Sequence, residues 1–81
     1  MKYHVGDKVK IKSKSWYNKK KDKYGWVECE NGCIFYPKME KYCDTEMTIK
    51  SIGYEFYHFY EMIEDNGCND WTTDMIECKI E

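Results

Sequence analysis

Trp26-Val27-Glu28-Cys29-Glu30-Asn31-Gly32-Cys33-Ile34-Phe35-Tyr36 consists of two short apolar runs on either side of Asn-Gly. Asn-Gly tolerates the positive φ of a tight hairpin turn, so this stretch predicts a β-hairpin. With a two-residue Asn31-Gly32 turn, Glu30 faces Cys33, Cys29 faces Ile34 and Val27 faces Tyr36. Because side chains alternate across a strand, Val27, Cys29, Ile34 and Tyr36 then share one face. Glu28, Glu30, Cys33 and Phe35 share the other, which is expected to look outward. A three-residue Glu30-Asn31-Gly32 loop is the alternative, and it sets Cys29 opposite Cys33.

Upstream of the hairpin, Lys8-Val9-Lys10-Ile11-Lys12 alternates strictly, the signature of a half-buried strand launched by the Gly6-Asp7 turn. Residues 13–23 show no periodicity and are expected to form a long exposed loop anchored by Trp16. Downstream, Pro37 ends the second hairpin strand, since it has no N–H to donate. Lys38 to Asp44 is expected to make one helical turn that tucks in Met39 and Tyr42 or Cys43. Met47 to Ile52 reads as a strand ending at Gly53. Over Tyr54 to Glu64, alternation places Tyr54, Phe56, His58, Tyr60 and Met62 on one face, expected to be the core face. A helix is the rival there, because Phe59, Met62 and Ile63 recur at helical spacing. The strand is favoured because four Tyr or Phe fall within residues 56–60 with no strong helix former. Asp65-Asn66-Gly67 turns the chain, and Thr72-Thr73-Asp74 makes a tight turn before a short last strand.

The 81 residues contain no Leu, Ala, Gln or Arg, four of the best helix formers. Tyr, Ile, Thr, Val, Phe and Trp, which favour strands, stand in their place. The expected fold is therefore all-β: a small SH3-like barrel of five or six short strands with at most one single-turn helix, in a single domain over residues 1–81. At this size a core hides only about 60% of the unfolded surface. The fourteen aromatics are expected to supply much of the burial.

Val5-Gly6-Asp7-Lys8-Val9-Lys10-Ile11, Trp16-Tyr17-Asn18, Met39 with Tyr42-Cys43, Thr48-Ile49 and Trp71-Thr72-Thr73-Asp74-Met75-Ile76-Glu77 together resemble small uncharacterised SH3-like barrel proteins of gut bacteria and their phages. The resemblance covers most of the chain, from residue 1 to about residue 77. It implies the barrel and carries no assigned activity. The chain departs from the pattern at Asp44, where a Gly is expected after the Tyr-Cys pair, and at Thr73, within a Trp-Thr-Asp pattern. The opening Gly-Asp-Lys-Val also occurs in KOW and other SH3-type barrels, where it marks a first strand.

The beginning of the chain is polar and charged, without the apolar run of a signal peptide or a membrane span, so a cytoplasmic setting is expected. Five cysteines, an odd number, then imply thiols rather than a disulfide scaffold. Cys29-x3-Cys33 lacks metal-ligand spacing, and in a two-residue hairpin the pair points to opposite faces, so no metal is expected. Cys33, on the outward face, is expected to react fastest. A thiol nucleophile needs a His base, and only His4, expected exposed, and His58, expected at least half-buried, are on offer. The five glycines are isolated, which excludes a phosphate-cradling loop of the Gly-x-Gly-x-x-Gly or Walker kind. Asp65-x-Gly67-x-Asn69-Asp70 fails as a calcium loop because its Gly is third rather than sixth. No enzymatic role and no cofactor are expected.

Residues 1–23 hold nine Lys and two Asp, a net +7, whereas residues 24–81 hold four Lys and thirteen acids, a net −9. The two halves either neutralise each other across one small barrel or offer a basic surface to an anionic partner. The expected function is a non-enzymatic protein-interaction module, with Trp26, Phe35, Tyr57 and Phe59 forming an apolar patch. Its partner is another protein, which includes self-association and, for a phage-borne chain, a host factor. The alternative is nucleic-acid binding, with Lys8, Lys10, Lys12, Lys14, Lys19, Lys20, Lys21 and Lys23 on phosphates and Trp16 and Tyr17 stacking on bases.

Overall fold

The computed structural model describes residues 2–54 and 58–81. Among the described residues lie six strands: β1 (Lys8–Ile11), β2 (Val27–Glu28), β3 (Ile34–Phe35), β4 (Glu46–Gly53), β5 (Phe59–Met62) and β6 (Ile76–Lys79). The same residues hold an α-helix, α1 (Lys14–Lys20), and 3-10 turns at Glu30–Gly32, Pro37–Tyr42 and Thr73–Met75. The all-β expectation holds. The strands form an antiparallel sheet in the order β5-β4-β1-β6 and a two-stranded β2-β3 ribbon. Among the described residues no ladder joins the ribbon to the sheet.

Alternation in β1 works as read: Val9 and Ile11 are fully buried, and Lys8 and Lys10 point away. Val9 pairs with Met47 of β4 and with Lys79 of β6. Tyr60 and Met62 of β5 are fully buried, as the strand reading places them, and Ile49 pairs with Met62. The strand is shorter than the sequence implies. His58 is exposed rather than buried, and its ring stands edge-on to Tyr54 at 4.7 Å. Phe56 and Tyr57 lie outside the described residues. Beyond β5, Trp71 exchanges two backbone hydrogen bonds with Tyr60, of 2.7 and 3.0 Å, and so covers the sheet edge.

Two expectations are corrected. Residues 14–20 are not an exposed loop but a two-turn helix. Ser13 caps it by accepting a hydrogen bond from the Trp16 N–H at 3.0 Å, and Tyr17 is buried in the core while Trp16 packs against it. Burial of those two neighbouring rings, not propensity, holds so short a helix. In the hairpin the turn is the three-residue alternative. Glu30–Gly32 closes as a 3-10 turn, the Cys29 N–H donates to the Cys33 carbonyl at 2.7 Å, and Val27 pairs with Phe35. That one-residue shift reverses the face of every residue on β3. Phe35 and Cys33 turn inward, and Tyr36 turns out.

The Pro37–Tyr42 turn buries Met39, with Tyr42 half-buried and Cys43 buried beside it, as expected. Among the described residues the buried hydrophobic side chains form one cluster. Its centre is aromatic: Phe35 meets Trp16, Tyr17 and Trp71 at ring distances of 5.3, 5.4 and 5.8 Å. The radius of gyration of 11.7 Å matches the roughly 12 Å of a compact chain of this length.

Candidate functional site

Asp22 starts the site. One oxygen of its carboxylate accepts the backbone N–H groups of Tyr24 and Trp26, at 2.8 and 3.0 Å, and its own N–H donates to the Trp26 carbonyl. An Asp folding the following backbone onto its side chain is a common turn device. The loop is then fastened to the body. Tyr17 Oη donates to the Gly25 carbonyl at 2.7 Å, and a Cβ on Gly25 would lie 2.9 Å from Pro37 Cγ and 3.0 Å from that same hydroxyl. Gly25 also has φ +84°, so glycine is required there twice over. Burial, with Glu40, Cys43 and Asp22 adding to it, raises the Tyr17 pKa and keeps the phenol a donor.

On this frame three aromatic side chains stand in a row on the surface. Tyr24, Trp26 and Tyr36 are 66%, 45% and 41% exposed. Tyr24 and Trp26 lie 6.2 Å apart at 49°, and Trp26 meets Tyr36 edge-on at 5.6 Å. Met39 holds the backbone at Tyr36, its sulfur accepting the Tyr36 N–H at 3.3 Å. Lys23 and Lys38 place their ammonium groups over Tyr24 and Tyr36, at 5.2 and 5.9 Å. The row is thus aromatic and edged with positive charge.

A cavity of about 210 Å³ adjoins Tyr36, bounded by Gly32 to Ile34, Lys38, Met39 and Cys68 to Asp70. Its 68–70 wall belongs to a loop organised by the buried Asp65. The Asp65 carboxylate accepts from the Gly67 N–H, from Asn69 Nδ2 at 3.0 Å and from Trp71 Nε1 at 2.9 Å.

The structure separates the expected patch. Trp26 is exposed in the row, but Phe35 is fully buried because of the hairpin register. Phe59 is half-buried over Gly53 in the β4-β5 hairpin, and Tyr57 lies outside the described residues. The sequence reading missed Tyr24 and Tyr36. Asp22-x-Tyr24-Gly25-Trp26 carried the turn signal that points to Tyr24, whereas Tyr36 needed the correct register.

The lysines expected to form one stripe are also divided. Lys8 and Lys10 stand on the outer face of β1, where Lys10 is in register with Glu46, and Lys12 reaches Glu77 at 3.7 Å. Lys14, Lys19 and Lys20 lie on α1, and Lys21 and Lys23 follow it, all exposed. Tyr17 is buried and Trp16 half-buried against Phe35, so neither presents a free ring to a base.

Cys33 is buried, not outward. Its Sγ donates to the Asp70 carbonyl at 3.7 Å, and Cys29 Sγ donates to Val27 at 3.6 Å. Burial above all, then Asp74 and Cys33, pushes the Cys29 thiol up to about 12, and burial with Asp44 and Glu40 pushes Cys43 up to about 11. Cys68 and Cys78 are the exposed thiols. Among the described residues no three His, Cys, Asp or Glu side chains gather as a metal site requires, and no helix is long and apolar enough to cross a membrane. Comparison with known protein families, curated proteins and solved structures finds no match.

Proposed function

We propose that the chain is a non-enzymatic interaction module that holds an acidic segment of a partner protein against the Tyr24–Trp26–Tyr36 row. The observation that carries this reading is the row itself: three exposed rings, with Trp26 in contact with both tyrosines, on a backbone held by Asp22 and Met39. Tyr and Trp lose little conformational entropy on binding, and rings already ordered lose less still, so such anchors dominate interfaces. The lysines at its edge favour an acidic partner. Thiols held protonated in the interior suit a reducing, cytoplasmic setting. For a phage-borne member of the SH3-like proteins it resembles, the partner is a host protein.

Nucleic-acid binding is the second reading, supported by the exposed lysines of α1 and the segment after it. The row argues against it, because its rings meet at 49° and 77° and lysine ammoniums cover two of them, which is no ladder for successive bases. The test is selection of a random peptide display library on the protein, with counter-selection on a Trp26→Ala, Tyr36→Ala double variant. Acidic peptides retained only by the native row are expected. Peptides indifferent to the two substitutions, or oligonucleotide binding that depends on Lys19 and Lys20, contradict it.

A further inference from the structure

Cys29 and Cys33 take no part in the proposed function, and the hairpin register makes them a pair. Val27 opposes Phe35 and Glu28 opposes Ile34, so the next rung of the ladder sets Cys29 opposite Cys33. The backbone bond from the Cys29 N–H to the Cys33 carbonyl, at 2.7 Å, closes that rung. Both residues are buried, like Val27 and Phe35 two positions away, so the two thiols share the inward face. Facing residues of an antiparallel pair have Cα atoms about 4.5–5.5 Å apart, inside the roughly 4.4–6.8 Å that a disulfide spans. A two-residue turn would set the sulfurs on opposite faces, whereas the Glu30–Gly32 turn sets them on one. Each sulfur donates a weak S–H bond to a carbonyl, Cys29 to Val27 at 3.6 Å and Cys33 to Asp70 at 3.7 Å, so rotation about the two Cα–Cβ bonds is cheap. Cys33 also lines the cavity of about 210 Å³ beside Tyr36, which opens to solvent and has room for a molecule as small as a peroxide.

We propose that Cys29 and Cys33 are a peroxide-sensitive dithiol that closes to a disulfide within the folded chain. Cys33, on the cavity, reacts first. Its thiolate attacks one oxygen of hydrogen peroxide, the O–O bond breaks, and a Cys33 sulfenic acid and hydroxide result. The Cys29 thiolate then attacks the Cys33 sulfur, so that the S–S bond forms as the S–O bond breaks and a second hydroxide leaves. The protons given up by the two thiols turn both hydroxides into water. Two thiols and one peroxide thus yield one disulfide and two waters, with the sulfurs oxidised and the peroxide oxygens reduced. The change reaches the surface by two routes. Loss of the Cys33 S–H removes its bond to Asp70, in the 68–70 wall of the cavity. The new link also braces the turn end of the ribbon that carries Trp26 and Tyr36 at its other end.

The test treats the native chain, and a Cys68→Ser, Cys78→Ser chain that lacks the two exposed thiols, with hydrogen peroxide at mildly alkaline pH, since the thiolate is the nucleophile. Intact mass and proteolytic mapping without reductant should find a Cys29–Cys33 link with the loss of two hydrogens, reversed by dithiothreitol, while circular dichroism stays native. Amide shifts should accompany it at residues 26–36 and 68–70. With Cys29→Ser added, the reaction should stop at the Cys33 sulfenic acid, which dimedone traps. With Cys33→Ser added instead, no dimedone adduct should form at Cys29. Thiols at 29 and 33 that survive while Cys68 and Cys78 oxidise, a link that forms only in urea, or Cys33 joined mainly to Cys68 overturns the proposal. So does a mapped Cys29–Cys33 link that leaves the 68–70 amides unmoved. Trp26→Ala should leave the oxidation unchanged, so failure here is distinguishable from failure of the peptide-binding reading.

Discussion

At the residue scale, Trp26 and Phe35 take opposite roles despite their similar chemistry, the first exposed and the second buried. Trp26→Ala removes a ring that is nearly half exposed, so it should cost only about 1 kcal/mol of stability through its two ring contacts. The same change should remove about 2 kcal/mol or more of peptide affinity. Phe35→Ala empties the centre of the core and should destabilise by about 3–5 kcal/mol. Urea denaturation and a peptide titration of both variants separate the two effects. The thiols give a second prediction. Alkylation followed by mass spectrometry should modify Cys68 and Cys78 first and Cys29, Cys33 and Cys43 only on unfolding. Cys29 and Cys43 keep their protons more tightly folded than unfolded. Their contribution is therefore whole below the ordinary thiol value of 9.0 and is lost as pH rises toward about 12 and about 11 respectively. A Cys29→Ala, Cys43→Ala variant should lose less of its urea midpoint than the native chain between about pH 8 and about pH 10.5.

Among the elements, what could be read depended on how much sequence fixed each one. β1 and β4 have several alternating or β-branched residues in a row, and both formed where expected. The Thr73–Met75 and Pro37–Tyr42 turns were signalled by their own turn residues. The β2-β3 register was not fixed locally, because Asn31-Gly32 suits a two-residue turn and Glu30–Gly32 a 3-10 turn, and only burial of Phe35 among Trp16, Tyr17 and Trp71 decides between them. α1 was hidden for the same reason: two buried rings in seven residues give no periodicity. The site inherits both difficulties, which is why Trp26 was identified and Tyr24 and Tyr36 were not. Gly25 tests the element account. Gly25→Ala places a side chain at φ +84° and against Pro37, and should cost about 1–3 kcal/mol from backbone strain before the clash is counted. It should abolish peptide binding even at low urea, where the molecule stays folded by circular dichroism.

Over the whole molecule, the unequal charge of the two halves is partly resolved by packing. β1 brings lysines from the basic segment beside the acids of β4 and β6, as in the Lys12–Glu77 pair, and Lys79 reaches back to Asp7 at 3.6 Å. Such exposed pairs are worth little individually, and salt screens them. The surplus lies on α1 and the loop after it, next to the aromatic row. If that surplus served a polynucleotide through five phosphate contacts, log affinity would fall with log salt at a slope near about −4.5. Neutralising Lys19, Lys20, Lys21 and Lys23 together would flatten it. The interaction-module account instead expects the four-lysine variant to slow peptide association and to change dissociation little. The central claim is that the Tyr24–Trp26–Tyr36 row is the binding surface, and amide shift mapping tests it most directly. On titration with a selected acidic peptide, the largest shifts should fall at residues 22–26, 36–39 and 68–70. Shifts centred on β1 and α1, or larger shifts with an oligonucleotide than with any peptide, would contradict it.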